Sequence, residues 1–286
     1  MKERIGQTEV QKKKVSISRV VLYVCLLITS VTIVMPLIWV IFTSFKEKAE
    51  IISIPPTLLP RIWTLSNYIK LPKVAPFFLF FLNSIFICSV STFFIVVGCP
   101  MAGYIFAKYK FKGQTFLFFL VMGTILVPLQ AYLIPLYLIV KSIGWINTYQ
   151  GMVFPLIIMS SGIFFLRQNI LAIPDELIDA ARIDGCSEFR VFWTIIFPLS
   201  FSATAAIAIV NWVYTWSQVF IWYLVIANSE KLFTMELGLM YFQRNYVTDY
   251  GGIMAACVLC LLPILAVFLV LRTRIIEGVS FTGMKY

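Results

Sequence analysis

Six long stretches of this chain carry no charge, and that constrains its fold more than any other feature. No Asp, Glu, Lys or Arg occurs from Val20 to Phe45, Phe77 to Ala107, Gln114 to Val140, Ser142 to Leu166, Val191 to Ser229 or Tyr250 to Leu271. A helix rises 1.5 Å per residue, so about 20 apolar residues cross the roughly 30 Å of bilayer hydrocarbon. One ionised side chain at the middle of such a helix costs about 2.5–3.5 kcal/mol on insertion scales. The 23 basic and 13 acidic residues are therefore kept out of the intervals that lipid would surround. The rest of the composition agrees, with 60% hydrophobic residues, 13% charged and a mean hydropathy of +0.92, whereas about a quarter of the residues in a soluble domain are charged.

These intervals predict an all-α integral membrane protein with six transmembrane helices. The spans are placed at about Val20–Phe45, Phe77–Ala107, Gln114–Val140, Thr148–Leu171, Pro198–Ala227 and Gly252–Arg274. Residues 1–19 read as a polar, basic tail, 20–274 as the six-span domain and 275–286 as a second tail. The apolar core of the first interval is too long for a cleavable signal and is followed by no small-residue cleavage pattern, so it is expected to be retained.

The formal charge of +10 would suggest nucleic acid in a soluble protein, but here it reads as a topology signal and no nucleic-acid partner is expected. Placing the amino terminus in the cytoplasm puts 15 of the 23 basic residues inside and 8 outside, with both termini cytoplasmic. The turn Lys108-Tyr109-Lys110-Phe111-Lys112 gives the clearest single indication.

Prolines mark where the spans should depart from regularity. Pro36 suggests a kink in the first span, and Pro128 and Pro135 suggest a broken outer half of the third. Lys46 to Pro76 contains Ile54-Pro55-Pro56 and Leu59-Pro60 and reads as an ordered external loop, with Trp63 and Tyr68 suited to the headgroup level. Asn228 to Gly251 reads as a second external loop.

Chemistry is scarce. There is no His, and the pair Cys257-x-x-Cys260 lacks the further ligands of a zinc site, so no metal and no catalytic residue is assigned. The nearest approaches to a phosphate-binding loop are Gly98 to Gly103, followed by Tyr104, and Gly278 to Gly283, followed by Met284. Neither supplies the required Lys. A carrier driven by an ion gradient would place ionisable groups at mid-membrane, and a membrane enzyme would need acid–base groups; neither is present in the spans.

The informative polar stretch is residues 173–198. Pro174 suits the start of a short helix, Asp175 and Glu176 complement its dipole, and Gly185 suits its stop. Leu177, Ile178, Ala181 and Ala180 fall on one face, Asp175, Asp179 and Arg182 on another. Ser187 can cap a second helix that climbs through Phe189, Phe192, Trp193 and Ile196 to Pro198. Such an element is either a helix resting on lipid headgroups or a handle for a partner protein.

The run Asp179-Ala180-Ala181-Arg182-Ile183-Asp184-Gly185, followed by Phe189 and Ile195-Ile196-Phe197-Pro198, resembles the E-A-A loop of permease subunits in binding-protein-dependent ABC importers. The likeness extends to Asn83-Ser84, Ala102-Gly103-Tyr104-Ile105-Phe106-Ala107, Pro128-Leu129-Gln130, Ile134-Pro135-Leu136-Tyr137, Leu166-Arg167-Gln168, Asn245 to Asp249 and Glu277-Gly278. The whole is similar to the carbohydrate branch, in particular the maltose-type six-span permease. Asp179 stands where Glu is usual, Cys186 where Ala is frequent and Phe197 where Leu is common. Trp216 is followed by Ser217 and Gln218, where relatives commonly carry Asn and an acid, which weakens any transfer of roles in that span.

The resemblance implies a subunit of an ATP-driven sugar importer in a bacterial plasma membrane. Asp179, Ala180, Ala181, Arg182, Asp184 and Gly185 would couple it to a cytoplasmic ATPase dimer that carries ATP and Mg, so that this chain binds no cofactor itself. A second homologous permease subunit, an extracellular solute-binding protein and membrane lipid complete the expected partners. An importer for a non-sugar solute, or a membrane scaffold that transports nothing, are the competing readings. Polar and aromatic groups inside the spans, Asn83, Gln130, Asn211, Trp212, Tyr214, Trp216 and Gln218, are candidates for a substrate path. Each of them could equally serve packing between helices.

Overall fold

The computed structural model describes residues 17–243 and 249–280, and among them the secondary structure is entirely helical. The basic residues Lys2 to Lys14, Lys285 and the stretch Asn245 to Thr248 lie outside the described residues. The longer helices are α1 (Ile17–Ser44), α3 (Ser66–Val74), α4 (Phe77–Lys108), α5 (Gln114–Gly123), α6 (Leu129–Ser142), α8 (Ser160–Leu171), α9 (Asp175–Ile183), α12 (Phe201–Ser217), α13 (Phe220–Ile226) and α15 (Tyr250–Ser280). Short pieces between them are α2 (Lys48–Ile51), α7 (Tyr149–Val153), α10 (Glu188–Val191), α11 (Phe197–Leu199) and α14 (Met235–Gly238).

Three helices, α1, α4 and α15, are each long and apolar enough to cross a bilayer alone. Three bent pairs of helices pass the same test when each is taken as one span, which brings the number to as many as six among the described residues. The third span breaks between residues 126 and 129 with a bend of 108°, at Pro128 as expected. Pro135 leaves α6 continuous, and Pro36 likewise sits inside an unbroken α1.

Three breaks depart from the sequence expectation, one of them a 78° bend at Ser200 inside the expected fifth span. The fourth span, expected to be continuous from Thr148 to Leu171, bends by 44° between Leu156 and Ser160, just after Pro155. The fifth span, expected to run from Pro198 to Ala227, stops at Ser217 and restarts at Phe220, with Gln218 and Val219 outside helix. A break inside a bilayer is tolerated where protein covers the freed backbone groups, and Val219 is fully buried. The last helix continues past the expected end at Arg274 to Ser280, so it enters the segment read as a tail.

α4 is the centre of the bundle. It packs on α8 and α12, α15 packs on α12, and α1 lies outside α15. Gly103 sets the α4–α8 contact, because a Cβ there would stand 3.0 Å from the Arg167 backbone nitrogen and 3.2 Å from the Leu166 carbonyl carbon. Before Thr43 no residue of α1 is buried, as expected for a helix whose surroundings are lipid or another chain.

The loop between Ser44 and Phe77 is ordered by buried polar groups. Asn67 donates to the carbonyls of Ser44 and Lys46 at 2.9 Å each, and Ser44 Oγ lies 2.7 Å from the Tyr68 hydroxyl. Tyr68 is thus turned inward against Phe45, whereas Trp63 packs on Phe42 and Phe45 and remains exposed. A Cβ on Gly251 would come within 2.6 Å of Asn67 Oδ1, so this glycine lets α15 approach the loop.

A lever held at the lysine end of the central helix

α4 ends at Lys108, and the polar segment 173–198 gathers around that end. Gly185 has φ +79, the left-handed region that favours glycine, and α9 stops two residues earlier. The Ser187 hydroxyl accepts from the Arg190 amide at 3.4 Å and caps the next helical turn. The chain then passes through a π-helical turn, Phe192–Ile196, and bends by 78° around Ser200 into α12.

Charges pin this element to α4. Lys108 Nζ donates to the Ile173 carbonyl and to Asp175 Oδ1, both at 2.6 Å. Its hydrogen bond, followed by its positive charge, holds the Asp175 carboxyl below its ordinary range. Arg182 donates to Glu188 at 2.7 and 3.4 Å and to Asp179 at 3.1 Å. Glu188 also accepts from the hydroxyls of Tyr104, at 3.1 Å, and Tyr109. Its carboxyl, outside the spans, is lowered to about 2 first by the Arg182 hydrogen bond and then by the Tyr109 hydroxyl. Glu188 was not singled out from sequence, although an acid six residues after Arg182 and beyond a glycine stop is the available signal.

Apolar packing completes the attachment. Ile178 and Ala181 are buried in one core with Val191, Phe192 and Ile196 and with Ile95, Cys99, Tyr104, Leu166 and Ile170 of α4 and α8. The opposite surface is bare: Leu177 is 45% exposed, Ile183 86% and Phe189 65%. Of the residues assigned to coupling, Ala181 faces inward while Asp179, Ala180, Arg182, Asp184 and Gly185 are exposed. The expected single apolar face is therefore split, with Ile178 and Ala181 inside and Leu177 and Ala180 outside.

The substrate-path candidates fall into two groups. Asn83 is 3% exposed and fully engaged, donating to the Lys231 and Phe233 carbonyls at 2.8 and 2.9 Å and accepting from the Tyr149 hydroxyl at 2.7 Å. Asn211 donates to Thr92 Oγ1 at 3.1 Å, and Trp216 Nε1 donates to the Cys260 carbonyl at 3.2 Å. Trp212 stacks on Trp216 with ring centroids 5.0 Å apart. Asn83, Asn211 and Trp216 therefore bond across elements, whereas the Trp212–Trp216 stack lies within α12. Gln130, Tyr214 and Gln218 are exposed. Tyr214 and Gln218 stand one turn apart at the broken end of α12.

The comparisons with known proteins agree with this architecture. Residues 95–280 match the family model described as the binding-protein-dependent transport system inner membrane component, and the chain belongs to that family. It is a membrane permease subunit of an ABC transport system. Among its relatives is the arabinooligosaccharides transport system permease protein AraQ of Halalkalibacterium halodurans, 33% identical over 88% of this chain and 91% of that one. The diacetylchitobiose uptake system permease protein NgcG of Streptomyces coelicolor is 28% identical over 89% and 85%. The fold is shared with a bacterial ABC transporter involved in importing the acidic polysaccharide alginate, at a TM-score of 0.78 and 21% identity, covering 90% of this chain and 96% of that one.

Proposed function

We propose that this permease subunit moves a carbohydrate, delivered by an extracellular binding protein, through a pore it forms with a second homologous permease, and that a separate cytoplasmic ATPase dimer supplies the energy with ATP and Mg. The observation that carries the coupling is the lever itself: a nine-residue helix with a bare outer face, fixed by its inner face to the cores of α4 and α8. Displacing α9 would drag α4 through Lys108, and α12 through the bent connection at Ser200. A rigid-body shift between two packings would follow.

Two considerations favour a neutral sugar. The relatives AraQ and NgcG are named for oligosaccharides, and none of the candidate path residues carries a charge. Exposed Gln130, Tyr214 and Gln218 offer amide hydrogen bonds and an aromatic face, which suit hydroxyl-rich rings. A permease for sn-glycerol 3-phosphate from Escherichia coli, 27% identical over 88% of this chain, is also a relative. A phosphate-bearing cargo would need a cation in the path.

Purification of the intact assembly tests the proposal. A nucleotide-hydrolysing chain and a second permease should copurify, and photocrosslinks from Ala180 or Ile183 should reach the former. Loaded sugar-binding proteins should raise its ATPase rate. Crosslinks that never reach a nucleotide-hydrolysing chain in a working assembly would overturn the coupling role, and stimulation by glycerol phosphate alone would overturn the sugar.

A further inference from the structure

At the opposite end of the molecule from the lever, a cavity of about 200 Å³ lies beneath the loop that follows α1, lined by Trp39, Thr43, Lys46, Glu50, Tyr250 and Met254 among others. Two of its polar groups are incompletely matched. Thr43 is 4% exposed, and its hydroxyl has no hydrogen-bond partner. Lys46 is 2% exposed; of the three donors of an ammonium one is used, toward the Thr57 carbonyl, and the nitrogen stands 4.9 Å from the centre of the Trp39 ring. Glu50 does not complete the set. Its oxygens accept from Thr57 Oγ1 at 2.7 Å and from the Arg61 amide at 2.9 and 3.1 Å, and among the described residues it forms no ion pair with Lys46. Glu50, whose carboxyl is lowered first by the Thr57 hydrogen bond, is near enough for the Lys46 charge to help lower it further. No oxygen of it lies within ion-pair distance, however, and a buried ammonium with donors left unfilled is costly.

The surroundings indicate where that oxygen comes from. The loop covering the cavity exposes Ile52, Ile54, Leu59, Ile62 and Trp63 to between 57% and 95%, and α1 is unburied up to Thr43. Apolar side chains with a tryptophan mark a membrane interface. The volume exceeds that of a single ion, since one water occupies about 30 Å³, and it admits a small head group.

We propose that this cavity binds the phosphodiester head group of a membrane lipid, with phosphate oxygens accepting from Lys46 Nζ and Thr43 Oγ1 and the acyl chains lying along the exposed face of α1. The site is separate from the lever and from the sugar path, so it stands or falls independently of the transport reading.

The test uses the purified transporter with the chains that copurify with it, extracted from vesicles of equimolar phosphatidylglycerol and phosphatidylcholine, with retained lipid counted by native mass spectrometry. Wild type and Lys48→Met, which alters an exposed lysine of the same loop, should retain phospholipid. Lys46→Met and Thr43→Val should each bind it about tenfold more weakly, the size expected for loss of a charge-assisted or buried hydrogen bond. Thr43→Val keeps the shape and removes an unpartnered hydroxyl, so the result survives even if Lys46→Met fails to fold. Equal retention by Thr43→Val overturns the site. Displacement of the lipid by inorganic phosphate or sn-glycerol 3-phosphate at low concentration assigns the cavity to a free anion and overturns the lipid assignment. Crosslinks from Ile54 to another polypeptide, with no lipid retained, overturn it in favour of a subunit contact.

Discussion

Lys46 and Lys108 each stand at the end of a long helix, and each donates to a backbone carbonyl of a neighbouring loop, yet the two loops are held in different ways. Around Lys46 the deepest ties are buried or half-buried hydrogen bonds: Asn67 spans two carbonyls and Ser44 meets Tyr68, while Glu50 adds a half-buried bond from Thr57 and exposed ones from the Arg61 amide. Around Lys108 they are ion pairs with an acid open to solvent: Lys108 itself is buried, with its side chain 7% exposed, but the Asp175 side chain is 74% exposed and that of Glu188 46%. α4 runs between them and is itself about 48 Å long, at 1.5 Å per residue over its 32 residues. Buried hydrogen bonds to backbone fix a single geometry, because leaving one unmade strands a polar group away from water. Exposed ion pairs are weaker and screened by salt, so they can be released and remade. The two ends thus differ in how much of their polar tying is shielded from water, a difference that fits the proposed role of the second as a moving part.

The comparison breaks most readily at Asn67. Asn67→Leu leaves the Ser44 and Lys46 carbonyls without their donor, and a loss of about 2–4 kcal/mol is expected. Thermal unfolding of the assembly should register it, while the coupling of ATP hydrolysis to uptake in the protein that remains folded should be unchanged. Gly185→Val should show the reverse pattern. A Cβ at Gly185 meets nothing within 4 Å, so the penalty comes from the left-handed backbone. It amounts to about 1–2 kcal/mol, or roughly tenfold in the population of the correctly turned lever. Uptake should fall with membrane content maintained; normal uptake would remove the lever from the mechanism.

Smaller effects sharpen the contrast. Glu188→Gln weakens the anchor shared by Arg182, Tyr104 and Tyr109 and should cost about 1 kcal/mol or less, given its partial exposure, read as faster hydrogen exchange across residues 175–188. The pH dependence has a definite sign. A carboxyl lowered from its ordinary 4.5 to about 2 stabilises the folded lever fully above pH 4.5 and loses that contribution as pH falls through 2. Exchange should accordingly be insensitive to pH-linked opening from pH 5.5 to 8 once intrinsic rates are corrected, yet should accelerate in high salt. The smallest change is expected for Asp179→Ala, about 0.3 kcal/mol for one exposed pair three residues apart on a helix.

Much of this was legible in the sequence, for local reasons. The six spans follow from lipid's intolerance of charge, and the lever's ends follow from Gly185, Ser187 and the acids at Asp175 and Glu176, whose effects are set by neighbours in the chain. The breaks were less legible. Pro128 marks one, and Pro155 precedes another, but Pro36, Pro100, Pro135 and Pro263 sit inside continuous helices. The interruption at Gln218 and Val219 has no Gly or Pro at all. Whether a helix breaks depends on what covers the freed backbone, and that is decided by tertiary packing. The same limit hid Glu188, whose tyrosine partners are 84 and 79 residues away, and Lys46, which reads as ordinary loop charge because nothing local announces its burial.

The close crossing at Gly103 has a mechanical implication. With a Cβ at Gly103 standing only 3.0–3.2 Å from α8, the two helices already meet as closely as a residue without a side chain allows, and any larger residue would push them apart. In the proposed transport cycle this close crossing favours α4 and α8 moving together, and leaves the bends near Pro128, Ser200 and Gln218 as the places to flex.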